Sequence, residues 1–139
     1  MVNLITGPKG SGKTQQMIEL ANKAVKTSNG NVVLIKKSHK ETLSVDFNIR
    51  AICMTDYADI KNADKFVGFL YGMVAGNSDI ETIFIDSILK QADITLDSLP
   101  NFIDALKRFS ADNKIEMYIS ISATKDEMSG VDFSDCKIL

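Results

Sequence analysis

"ITGPKGSGKT", Ile5 to Thr14, decides how the rest of the chain is read. Gly7, Gly12, Lys13 and Thr14 satisfy the spacing G-x-x-x-x-G-K-[ST] without a gap. The spacing has a mechanical reason. Glycines let a backbone curl until successive amide protons face one point, which forms a cradle for phosphate oxygens. A helix that starts where the curl ends adds its positive dipole end and its free amides. On this reading Gly7, Pro8, Lys9, Gly10, Ser11, Gly12 and Lys13 form the phosphate-enclosing loop. Lys13 reaches the outer phosphates as a point charge. Lys9 is either a phosphate helper or a solvated side chain. The Thr14 hydroxyl is a hard oxygen ligand suited to Mg²⁺.

The flanking pattern supplies the context that such a loop needs. Val2 to Thr6 is a short apolar run that ends in glycine, as a buried strand does. Behind the loop, Met17, Leu20, Ala21, Ala24 and Val25 share one face of a helix running to about Thr27. "TSNGN" (Thr27 to Asn31) ends that helix, and "VVLIK" (Val32 to Lys36) follows as an uninterrupted β-branched strand. Such runs suit parallel strands covered on both faces. Further strands are expected at Ile49–Met54, Glu81–Asp86 and Ile115–Ser122, with a short last one at Lys137–Leu139. Helices are expected at Ala63–Ala75, where Gly68 and Gly72 weaken the propensity, and at Ser98–Phe109. The latter presents Phe102, Ile103, Leu106 and Phe109 along one side, with Pro100 in its first turn. Alternating strands and helices predict an α/β protein of three layers, α/β/α, with a mostly parallel sheet of about five strands. Nothing linker-like divides residues 1–139, so one domain is expected.

Composition narrows the function classes. A net charge of −2 gives no clear nucleic-acid signal. The two cysteines, Cys53 and Cys136, are too few for a disulfide scaffold or a cysteine-rich zinc site, and they read as reduced thiols. His39 is the single histidine and reads as a solvated loop residue. No stretch has the ~18 apolar residues of a membrane span, and no signal peptide is visible. The expected location is cytoplasmic.

"IFID", Ile83 to Asp86, is an apolar strand that closes on an acid. In an open parallel sheet, ligands gather beyond the carboxyl ends of the strands, which puts Asp86 on the edge that carries the glycine loop. A carboxylate there can hold the Mg²⁺ that bridges the phosphates. Together the two stretches resemble the Walker A and Walker B motifs of P-loop NTPases. Two strands fall between them in the sequence, which resembles the RecA-like division, where an additional strand separates the two motif strands in the sheet. The order "GPKGSGKT", "VVLIKK", "IRAICMTDYADI", "IFID" is also similar to the core of thymidine kinases. The likeness runs from about Val2 to Thr124.

The resemblance implies ATP or a related nucleoside triphosphate with Mg²⁺, Lys13 and Asp86 as the working residues, and Thr14 and Asp86 on the metal. In "SAT", Ser122 and Thr124 stand where RecA-like proteins sense the terminal phosphate. One departure bears on chemistry. Many ATPases place a glutamate directly after the Walker B aspartate to activate water, and here Ser87 follows. Glu41 and Asp56 are alternative acids from neighbouring strand ends, and Arg50 and Arg108 are the available arginines. The four-cysteine zinc site of thymidine kinases has no counterpart. The expectation is nucleotide binding with weak ATP hydrolysis, stimulated by a second copy or a protein partner. A non-hydrolysing switch and a small-molecule kinase are the alternatives.

Overall fold

The computed structural model describes residues 1–39 and 44–139. Among the described residues nine regular elements follow one another: β1 (Val2–Thr6), α1 (Lys13–Thr27), β2 (Asn31–Lys36), β3 (Arg50–Cys53), α2 (Ala63–Gly76), β4 (Ile80–Ile85), α3 (Leu99–Asn113), β5 (Glu116–Ile121) and β6 (Cys136–Ile138). Single 3-10 turns follow β3 (Met54–Asp56), β4 (Ile88–Lys90) and β5 (Lys125–Glu127). No helix among the described residues is long and apolar enough to cross a membrane.

The strands form one six-stranded sheet in the order β3-β2-β4-β5-β1-β6. Every pairing is parallel. The expectation of about five mostly parallel strands is therefore corrected to six, all parallel. The sixth is the short last strand expected in the tail, one residue earlier than its expected bounds, where Cys136, Lys137 and Ile138 pair with Val2, Asn3 and Leu4. Its reason is physical: β1 is buried along its length, and a buried apolar strand makes a poor open edge.

Side-chain alternation splits the core into two layers. Ile5, Val32, Leu34 and Phe84 meet Met17, Ile18 and Ala21 of α1. Their strand neighbours Leu4, Val33, Ile35, Ile83 and Ile85 pack instead with Phe66 and Leu70 of α2 and with Phe102, Ile103, Leu106 and Phe109 of α3. One buried polar side chain interrupts β1, and it is satisfied: Asn3 Nδ2 donates to the Met117 carbonyl at 2.9 Å.

Most element ends differ from the sequence expectation by a single residue, and two elements differ for a visible reason. Helix α3 runs on to Asn113 and stops where Lys114 turns left-handed (φ 55°). Ser110, inside that extension, is buried and donates to the Ile115 carbonyl at 2.6 Å, which ties the helix end to the start of β5. Strand β3 is shorter than expected because Met54 already belongs to a 3-10 turn.

The arrangement collects three strand exits at one end of the sheet. The glycine loop leaves β1, Asp86 follows β4, and Ser122 follows β5. Strand β5 lies between β1 and β4, so the strand that separates the two motifs is the later one, not β2 or β3. Leu106 is wholly buried between α3 and the sheet. Leu106→Ala is expected to cost about 2–5 kcal/mol, seen as a lower denaturant midpoint at unchanged slope in urea unfolding.

Candidate functional site

The glycine loop takes the backbone shape that its composition permits. Gly10 and Gly12 are left-handed, with φ of 83° and 85°. Gly12 is also the N-cap of α1, and its carbonyl accepts the Gln16 amide at 3.1 Å. No atom blocks a Cβ at either position, so the glycines are required by conformation and not by space. The Gly7 amide donates to the Ala123 carbonyl at 3.0 Å, which ties the start of the loop to the exit of β5.

Pro8 has no amide proton to offer a ligand, and its role here is as an acceptor. Its carbonyl takes hydrogen bonds from Lys13 Nζ and from Ser11 Oγ, both at 2.7 Å. Lys13 is only 7% exposed, held under the loop. Burial pushes its ammonium below the ordinary lysine range; Asp86 opposes that shift and Lys90 adds to it.

Asp86 is the fixed point beneath the loop, 5% exposed. Its Oδ1 accepts from Ser120 Oγ at 2.7 Å and its Oδ2 from Thr14 Oγ1 at 3.0 Å. Its amide donates to the Ile35 carbonyl at 2.9 Å, and its carbonyl accepts from the buried Gln91 at 3.0 Å. Ser120 serves twice, because its Oγ also accepts the Ser87 amide at 2.6 Å. Ser87 itself is left-handed (φ 55°), an uncommon state for serine that turns the chain sharply away from β4.

A cavity of about 370 Å³ opens above these groups, lined by Lys9, Lys13, Thr14, Ser87, Lys90 and Ser122 together with Gly10 and Gly12. Three of these side chains are cationic and none is a carboxylate. Such a lining concentrates positive potential on an anion. For a metal, the donor chemistry fits Mg²⁺: one hydroxyl and one carboxylate oxygen, 3.0 Å apart. Adjacent ligands of an octahedral Mg²⁺ with bonds of 2.0–2.1 Å stand about 2.9 Å apart.

The structure thus brings together the loop Gly7 to Thr14 and Asp86, and it adds Ser122 to the cavity wall. Thr124 goes elsewhere. Its hydroxyl pairs with Glu127 Oε1 at 3.0 Å in a capping box over the turn Lys125–Glu127. The sequence does carry that signal, in the T-x-x-E spacing of "TKDE". Asp56 bonds His39 in a different cavity. Glu41 lies outside the described residues. Arg50 sits on the edge strand β3, and Arg108 is exposed on α3.

Two residues of the site escape sequence reading. Lys90 falls in an irregular stretch, four residues after Asp86, and the 3-10 turn swings it over the cavity. Ser120 looks like one polar residue in an apolar strand, and only the β4–β5 pairing brings it to Asp86. No protein-family model matches the chain, and no curated protein matches it either. Ser120→Ala strips one partner from a buried carboxylate and from the Ser87 amide. A stability loss of about 1–3 kcal/mol is expected in chemical unfolding.

Proposed function

We propose that this chain is a P-loop NTPase of RecA-like build that binds ATP, or a related nucleoside triphosphate, together with Mg²⁺. One observation carries the reading. At one end of the sheet a left-handed glycine loop, the buried Lys13 and the Thr14 hydroxyl line one cationic cavity, and that hydroxyl stands 3.0 Å from the buried Asp86 carboxylate beneath it.

Each residue then has a task. The amides of Lys9, Gly10, Gly12 and Lys13 serve phosphate oxygens as the loop curls, while that of Ser11 is held by the Pro8 carbonyl at 3.3 Å. Lys13 exchanges the Pro8 carbonyl for phosphate, and a buried ammonium gains more from that anion than a solvated one does. Lys9 and Lys90 add charge at the rim. Thr14 and Asp86 hold the metal, which neutralises charge between the phosphates when bound. Ser120 keeps the Asp86 carboxylate turned toward Thr14.

Turnover is the weaker half of the activity. Ser87 cannot take a proton from water as a carboxylate does, and no acid lines the cavity among the described residues. The reading is therefore tight binding with slow hydrolysis that a second copy or a protein partner accelerates.

Calorimetric titration with MgATP, MgADP and MgGTP is the direct test. Binding to the wild type should fall at least ~100-fold in Lys13→Ala. Asp86→Asn should remove most of the dependence on Mg²⁺. No heat with any of the three nucleotides rejects the reading. Phosphate release then separates slow turnover from none. Affinity should also depend on pH with a definite sign. Bound phosphate favours the charged lysine and raises its pKa. Affinity is level below the lowered pKa of free Lys13 and declines as pH climbs through it toward the ordinary value of 10.5.

A further inference from the structure

A second group of chemically active side chains stands at the same end of the sheet, away from the glycine loop. Strands β2 and β3 pair in parallel with Lys36 opposite Cys53, so the chain leaving β2 passes beside the end of β3. His39 lies on that departing chain, Cys53 is the last residue of β3, and Asp56 closes the 3-10 turn that follows. His39 Nε2 is 3.0 Å from both Asp56 carboxylate oxygens. One donor atom from each of His39, Cys53 and Asp56 lies within 4.8 Å of the other two. All three line one cavity of about 330 Å³, so the group is reachable from solvent.

We infer that His39, Cys53 and Asp56 form a binding site for a borderline transition-metal ion of the Zn²⁺ class. A sulfur, an imidazole nitrogen and a carboxylate oxygen select such an ion over Mg²⁺ or Ca²⁺. Three protein ligands leave a fourth tetrahedral position for water or a solute. Charge supports the same choice. Lys36 and Arg50 line this cavity too, and a bare dication is unwelcome beside them. One thiolate and one carboxylate cancel the ion's formal charge, which removes that repulsion.

The geometry needs only small shifts, the His39–Asp56 pair opening from 3.0 Å while the widest donor separation, within 4.8 Å, closes. Tetrahedral bonds of 2.0–2.3 Å set ligands about 3.3–3.8 Å apart. The side chains of His39 and Asp56 are 67% and 52% exposed, so both can adjust at little cost in packing. Cys53 is the anchored member, its Sγ 3.0 Å from Thr55 Oγ1 and 3.6 Å from the Lys37 carbonyl. On binding, the Cys53 S–H bond gives its proton to solvent and the thiolate sulfur bonds the metal; the proton that His39 Nε2 holds toward Asp56 leaves to solvent while Nδ1 carries the one proton of the neutral ring, which frees the Nε2 lone pair for the metal. The same residue types serve nucleophilic catalysis, but there the imidazole offers one nitrogen to the thiol and the other to the acid. Here Nε2 faces the acid, and the thiol is bonded to Thr55 and to the backbone. A bound ion would clamp the chain after β2 to the end of β3, independently of the phosphate cavity.

The test is titration of the reduced, untagged full chain with Co²⁺ alone, read by absorption. One equivalent should bind, with a near-ultraviolet thiolate-to-cobalt charge-transfer band. Cys53→Ser should abolish the band, whereas Cys136→Ser should leave it unchanged. His39→Ala and Asp56→Ala should each weaken Co²⁺ at least ~10-fold. Both positions are exposed, so these variants keep the fold, as circular dichroism can verify. Zn²⁺ should displace Co²⁺ and bleach the band. The proposal is overturned if no band appears, if the band survives Cys53→Ser, or if folded His39→Ala binds Co²⁺ as the wild type does.

Discussion

The site hangs on one buried carboxylate. Asp86 touches α1 through Thr14, β5 through Ser120, β2 through the Ile35 carbonyl and the following turn through Gln91. A carboxylate taken out of water is costly unless its oxygens are bonded, and here both are. Satisfying that one group locks the glycine loop, the exit of β4 and the exit of β5 into a single arrangement. The position of the loop relative to the acid is therefore a consequence of polar satisfaction in the core, not of loop stiffness.

Lys13 and Lys90 show the other side of this economy. The loop keeps its lysine under the Pro8 carbonyl, with its charged form disfavoured by burial. A protein gains nothing in stability from that placement. It becomes useful when an anion enters, because the charge is already poised and part of its desolvation is already met. On the proposed function, affinity for phosphate comes from this preorganisation as much as from the number of contacts.

The parallel sheet explains why two separate polar clusters share one end of the molecule. All six strands point the same way, so every exit with its irregular backbone and functional side chains gathers at one edge. The exits of β1, β4 and β5 build the cationic cavity; those of β2 and β3 bring the His39, Cys53 and Asp56 donors together. Ser87 is left-handed at the exit of β4. The chain bends there, and the Ser87 amide reaches Ser120 Oγ.

Much of this was legible in the residues alone. The loop from Gly7 to Thr14 is one contiguous stretch whose geometry follows from local chemistry, and glycine, lysine and threonine at that spacing have few other uses. Strand and helix periodicity likewise reads locally, and the continuous runs at Val32 and Ile83 announced strands covered on both faces. What lay beyond reach were contacts between distant positions. Ser120 and Asp86 are 34 residues apart, and their meeting depends on which strand lies beside β4. Lys90 reaches the cavity through a turn that no periodicity signals. The place of Thr124 after β5 suggests a phosphate-sensing residue, but the chain bends there and the hydroxyl caps a turn. His39 and Cys53 looked like a loop histidine and a core thiol until the β2–β3 register set them side by side. Local steric and hydrogen-bonding rules act within a few residues and can be read in order along the chain. Strand order and register are decided by the burial of whole faces, and they alone determine which distant side chains meet.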